Sequence, residues 1–264
     1  MSPQYTVHST PEAQESGAVA LAVASLPATF GPATEAPDVR VIAGRAGWSR
    51  EAIEAIEAGA RGVMVVNPAA EATAELAKAA EAKGTVVVLD QCWASNPAIP
   101  GAEDAIRAMA GRAALLDSVA TAEAGTDAGG LLADHLAAVV RLTGPLESLR
   151  LINRGAHGYT LSARLANGAP AALQGVLSSA RPAGVHISLL SDDGGVGVTL
   201  PEPLAAWPAQ VKVTGPQGEL LLPTLYESAH RAAWRRLKEH LDAGTTSTDL
   251  HRFAALTESL SGLR

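Results

Sequence analysis

The chain has 264 residues, with 27 acidic against 20 basic side chains and a net charge of −7. Its 47% hydrophobic and 18% charged residues and mean hydropathy of +0.14 exclude disorder as the main state and allow one large domain or two small ones. No apolar run approaches the roughly 20 residues that cross a bilayer, and the acidic balance with only 3% aromatic residues argues against a nucleic-acid surface. The apolar stretch 18–26 follows Glu12 and Glu15 and has no basic flank, so it does not read as a signal peptide and the expected location is the cytoplasm. The single cysteine, Cys92, makes no intramolecular disulfide, and no Cys/His spacing suits zinc; no metal is expected.

Read in order, the first third alternates strand and helix. Residues 5–9 suggest an edge strand with 11–26 as its helix, and the proline-rich 27–37 reads as a loop. The β-branched run 39–43, a helical spacing over 49–58 and the apolar run GVMVV at 62–66 follow, then an Ala/Glu/Lys-rich helix over 71–83 closed by Gly84 and the run TVVVL at 85–89. Such βαβ alternation predicts a parallel sheet flanked by helices.

After residue 89 the pattern changes. A small-residue and proline loop at 94–101 leads to helices around 104–110 and 130–142. Alternating runs then occupy 149–154, 159–166, 171–179, 186–191, 195–200, 210–213 and 219–222, with hairpin signals at Asn167-Gly168, Asp193-Gly194 and 215–218. This predicts a mostly antiparallel sheet. Two helices close the chain, 228–241 and 248–260. In the first, Arg231, Arg235, Arg236 and Lys238 read as the solvated face of an amphipathic helix. The expected division is an α/β domain over 1–93 and an antiparallel-sheet domain with C-terminal helices over 94–264.

This order of elements resembles the Gfo/Idh/MocA oxidoreductase family. The resemblance runs through about 38–264 and rests on GVMVVNPAAEATAELAKAAEAKGTVVVLDQ at 62–91, GGLLADHLAAVVRLTGP at 129–145, NGAPAALQGVLSSA at 167–180, VKVTGPQGELLL at 211–222 and the closing HRAAWRRLKEHLDAG and TDLHRFAALTESL. It implies a truncated Rossmann-like parallel sheet followed by an open, mostly antiparallel sheet (α/β plus α+β), NAD(P)-dependent chemistry on sugar-like molecules, and dimers formed sheet to sheet. An open sheet with an apolar face also has to be covered, which points to a homodimer or a heteromer with a homologous subunit.

The chain departs from the family where the chemistry is done. A dinucleotide site needs a glycine-rich turn after the first strand so that backbone approaches the pyrophosphate. Thr10, Pro11, Glu12 and Ala13 stand there instead, and Glu12 and Glu15 are repulsive to phosphate. Gly44-Arg45 replaces the acidic residue expected after the second strand; Arg45 reads either as a 2′-phosphate contact or as a surface residue. The family's Glu-Lys-Pro aligns with Asp90-Gln91-Cys92, and the Gln91 amide can hydrogen-bond but has no titratable proton for acid–base work. The family's helical Asp is matched by Asp134, but its histidine falls at Ala138, while His135 points about 100° away around the helix.

The candidate site residues are therefore Asp134 and His135 for catalysis, and Arg45, Asn67 and Pro68 for a cofactor. For a small polar ligand they are Asp90, Gln91, Trp93, His157, Tyr159, Arg181 and His186, each also readable as packing or surface polarity. The expected cofactor is none, or weakly bound NAD(P). The expected function is a ligand-binding or partner subunit without standard dehydrogenase activity. The alternative is an enzyme: an atypical NAD(P)-dependent reductase or dehydrogenase of a sugar-like or imine substrate, or a cofactor-free lyase or isomerase using Asp134 and a histidine.

Overall fold

The structure is a computed structural model describing residues 4–33 and 35–263. The chain divides into two compact units, one of residues 1–92 with 229–257 and one of 93–228 with 258–264. The division differs from the expected boundary because most of the C-terminal helical segment packs its apolar side into the first unit. Trp234 of that segment stacks edge-on against Phe30 at 4.8 Å between ring centroids.

The first unit holds five parallel strands, β1 (Tyr5–Ser9), β2 (Phe30–Pro32), β3 (Val39–Ala43), β4 (Gly62–Val66) and β5 (Val86–Asp90), in the order β2-β1-β3-β4-β5. Helices α1 (Pro11–Gly17), α2 (Val19–Ala24), α3 (Trp48–Glu57) and α4 (Ala74–Lys83) connect them. β4 and β5 are buried at every position, as continuous apolar runs in a parallel sheet require. Two expectations need correction. Residues 5–9 are not an edge strand but lie between β2 and β3, and the presumed loop 27–37 contains β2. The second strand is therefore Phe30–Pro32, and Arg45 follows the third.

The second unit contains α5 (Ile99–Ala110), β6 (Leu115–Ala122), α6 (Ala128–Thr143) and the strands β7 (Glu147–Gly155), β8 (Gly158–Arg164), β9 (Pro170–Leu177), β10 (Gly184–Ser191), β11 (Gly194–Leu200), β12 (Gln210–Gly215) and β13 (Gly218–Leu221). Eight strands form one sheet, β13-β12-β11-β10-β6-β9-β8-β7, antiparallel except where β6 runs parallel to β9. All three expected hairpin turns are present, at β8–β9, β10–β11 and β12–β13. α5 and α6 cover one face, onto which Leu116, Leu161, Leu173, Ile187 and Val198 are buried.

The opposite face corrects the expectation of an apolar surface. Cross-strand registers bring Asp117, Thr160, Ser162, Gln174, Ser188 and Thr199 onto it, with Leu115, Val119, Val176 and Leu190 the larger apolar side chains of the central strands. Alternation puts one set of residues on each face, and here the outward set is rich in hydroxyls and amides that water satisfies. The last helices are α7 (Ala229–Ala243) and α8 (Asp249–Ser261). Among the described residues no helix is long and apolar enough to cross a membrane.

Candidate functional site

At the C-terminal ends of the parallel strands, the segments after β1, β3 and β4 border a cleft of about 320 Å³ lined by Glu12, Glu15, Ser16, Gly44, Arg45 and Asn67. It sits where β2 and β3 leave β1 on opposite sides, the kind of switch point at which open α/β sheets take ligands. Gly44 makes the close approach possible: its N–H donates to Val66 O at 2.7 Å, its carbonyl accepts from Ala69 at 2.6 Å, and a Cβ there would lie 2.2 Å from Pro68 Cα. The Asn67-Pro68 turn thus packs on the loop after β3, with Asn67 held at φ +50°. The Asn67 amide reaches Ser16 O at 3.5 Å, and Cys92 Sγ donates to Asn67 Oδ1 at 3.2 Å.

The electrostatics of this cleft are set by the chain's own groups. α1 begins with Pro11, which has no N–H to offer, and Thr10 Oγ1 accepts from Ala13 N at 3.2 Å. Glu12 follows in the first turn, and its carboxylate lies 3.9 Å from the Arg45 guanidinium. At α3 the free amides are met by Glu71, whose two oxygens accept from Gly47 N at 2.7 Å and Ser49 N at 2.6 Å. A carboxylate is a natural partner for a helix N-terminus and fills the place an anionic ligand would take. The start of α3 is in this way satisfied from within, and at α1 the Thr10 side chain takes the Ala13 amide while Pro11 offers none.

Asp90, at the end of β5, is 1% exposed and bonded through Oδ2 to His230 Nδ1 of α7. It points into the packed interior of its own unit. Gln91 is half-buried beside it. Trp93, in a short 3₁₀ turn at Trp93–Ser95, is buried and donates its indole N–H to Pro201 O at 3.0 Å. Next to Asp90, Arg236 of α7 is not simply a solvated cation: it donates from Nη1 to both oxygens of Asp249 at 3.0 Å and from Nη2 to Leu89 O at 3.0 Å.

In the second unit His135 is fully buried on α6. Its Nε2 lies 2.6 Å from Ser118 Oγ of β6 and its Nδ1 2.9 Å from the Tyr159 hydroxyl of β8. Desolvation lowers its pKa from 6.5 to about 3, so the ring is neutral at physiological pH. Burial and the nearby Asp134 charge push the Tyr159 hydroxyl pKa upward. The Tyr159 ring lies over Gly175 of β9, where a Cβ would be 2.1 Å from Tyr159 Cε1; glycine is required for that packing.

Within each unit the expected site residues fall into separate settings. Arg45 and Asn67 share the cleft of the first unit, with Pro68 in the adjoining turn. Asp90 is in a buried pair. Asp134 is half-buried, one position from a histidine engaged in the helix–sheet core. Tyr159 faces that core, whereas His186 is on the opposite face of the sheet, 3.1 Å from Thr199 Oγ1. His157 and Arg181 are exposed in the segments before β8 and after β9. His230, Ser118, Glu71 and the Arg236–Asp249 pair had no sequence signal, since each is defined by a partner distant along the chain.

No family model matches the chain, and no curated protein matches it in sequence. Solved structures do match in fold. D-galactose-1-dehydrogenase from Rhizobium etli is 14% identical, with 100% of this chain and 96% of that one covered at a TM-score of 0.70. UDP-N-acetylglucosamine 3-dehydrogenase GnnA from Acidithiobacillus ferrooxidans is 15% identical, with coverage of 98% and 96% and a TM-score of 0.70. The 3-ketoreductase KijD10 from Actinomadura kijaniata, in complex with TDP-benzene and NADP, is 15% identical, with coverage of 98% and 89% and a TM-score of 0.67. The chain thus shares with these proteins its fold, a parallel Rossmann-like sheet followed by a mostly antiparallel one.

Proposed function

We propose that this chain is a divergent protein of the Gfo/Idh/MocA fold that does not carry out standard NAD(P)-dependent hydride transfer. It serves instead as a binder of a small polar ligand or as a subunit of a larger assembly. One observation supports this above all: the two helix starts flanking the switch point are capped by Thr10 and Glu71, and Glu12 and Glu15 line the cleft between them. A pyrophosphate needs unengaged backbone N–H groups and a positive end of a helix. The residues present do not fit one: Pro11 offers no donor, Thr10 and Glu71 engage Ala13, Gly47 and Ser49, and the added charges are negative. Among the described residues lining the cleft Arg45 is the one cation, and it faces Glu12.

The candidate catalytic residues point the same way. Gln91, aligned with the family's lysine, has no titratable proton to supply. His135, neutral and out of reach of solvent, holds α6 to the sheet rather than exchanging protons with a substrate. A small polar ligand suits the cleft of the first unit, whose 320 Å³ is at the lower end of the roughly 300–1,000 Å³ range of ligand sites.

The test is isothermal titration calorimetry with NAD, NADH, NADP and NADPH, on folded protein first checked by absorbance for co-purified nicotinamide. No heat from any of the four is expected. Micromolar binding of one of them overturns the proposal and makes an atypical reductase the working assignment, with Arg45 and Asn67 the first positions to mutate.

A further inference from the structure

The outer edge of β5 is a hazard by its composition. Thr85 to Leu89 reads TVVVL, an uncharged run of high β propensity, and β5 ends its sheet. Val86 N bonds Arg61 O and Asn67 N bonds Asp90 O, so residues 86 and 90 direct these backbone groups toward β4. Leu89, out of phase with them, turns its N–H and C=O outward. Both are taken by side chains. Leu89 N–H donates to Asp249 Oδ2 at 3.0 Å, Leu89 O accepts from Arg236 Nη2 at 3.0 Å, and Arg236 Nη1 spans both Asp249 oxygens. The carboxylate stands where a neighbouring strand would put a carbonyl, and the guanidinium where it would put an N–H.

We propose that the Arg236–Asp249 pair is an edge guard: it occupies the outward pairing groups of Leu89 on β5 and so prevents that edge from adding a strand of a second copy of this chain. The second copy is the occupant the geometry favours, because two equal edges brought together antiparallel about a two-fold axis satisfy each other at once. The pair is placed to act in this way and not merely as a surface ion pair, since Asp249 is 9% exposed and its partner 34%. Helix α7 supplies the cation and α8 the anion, so the guard is present only when both helices are docked.

The experiment compares Arg236→Met/Asp249→Leu, which keeps apolar volume while removing both hydrogen-bonding groups, with Leu237→Ala, which loosens α7 by a cavity and leaves the pair intact. Light scattering from 1 to 100 μM and hydrogen exchange at the Leu89 amide are the readouts. The double variant should form a species of twice the wild-type mass, with Leu89 exchange at least ten-fold faster than wild type at low concentration and slowed again as the larger species forms. Unchanged mass across the range overturns the proposal, as does a mass increase with no concentration-dependent protection at Leu89. Equal association by Leu237→Ala overturns it too, because loosening alone would then account for the effect.

Discussion

Each unit buries a histidine from a helix against a strand, and the two solve the problem differently. His230 of α7 meets a carboxylate, Asp90, at the end of β5. His135 of α6 meets two hydroxyls, Ser118 and Tyr159, on β6 and β8. A buried ring facing an acid gains charge-assisted bonding but commits the acid: remove the ring and a carboxylate is stranded away from water. A ring between hydroxyls commits nothing charged, yet must stay neutral, because no counter-charge offsets the desolvation of an imidazolium. The α/β unit is thus held by a pair that is costly to break, the sheet unit by one that is costly to protonate.

The largest expected effect breaks the first arrangement. His230→Ala leaves Asp90 buried with Oδ2 deprived of its partner, and Oδ1 has no hydrogen-bond partner among the described residues. A loss of about 3–5 kcal/mol in urea unfolding at pH 7 is expected, the usual cost of stranding one half of a buried pair. Asp90→Leu combined with His230→Leu should recover most of it. A single-variant loss below about 1 kcal/mol would mean that Asp90 is not held by the histidine.

The second arrangement is sharpened by acid. The His135 pKa is about 3 in the folded chain against 6.5 unperturbed, so between these values the unfolded state binds a proton that the folded state does not. Stability is therefore fully present above about pH 6.5 and declines as pH falls toward 3, by something on the order of 3 kcal/mol at pH 4.5. Urea titrations at pH 7.5, 6 and 4.5 should show this slope in the wild type and a flatter one in His135→Gln. Equal slopes in the two proteins would place the acid sensitivity elsewhere.

These contrasts also mark what the sequence could disclose. β4 and β5 were legible because a short, unbroken, β-branched run suits a strand buried on both faces, and the β8–β9 and β10–β11 hairpins because Asn167-Gly168 and Asp193-Gly194 favour the turn chemically. β6 was not: in LLDSVATA the inward set is Leu116, Ser118, Ala120 and Ala122, too small and too polar to stand out against its outward neighbours. β2 is three residues long and ends in proline, so it read as a loop. For the candidate site the limit is distance along the chain. His135 was identifiable as a residue of interest, but its partners stand 17 and 24 residues away, and Asp90 meets His230 across 140 residues. Local pattern names such residues; only the packing of α6 and α7 decides what they face.

The smallest effect is expected at the cleft, and it extends the comparison to water-exposed charge. Arg45 and Glu12 approach to 3.9 Å with side chains 69% and 44% exposed, so solvent and salt screen their attraction. Arg45→Ala should change unfolding free energy by no more than about 1 kcal/mol, with the difference vanishing at 1 M salt. A salt-insensitive loss above about 2 kcal/mol would show that the pair belongs with the buried clasps rather than with the surface. The expected outcome is that charge secures this fold where water is absent, at β5, while Arg45 and Glu12 remain available to a ligand because the fold does not depend on them.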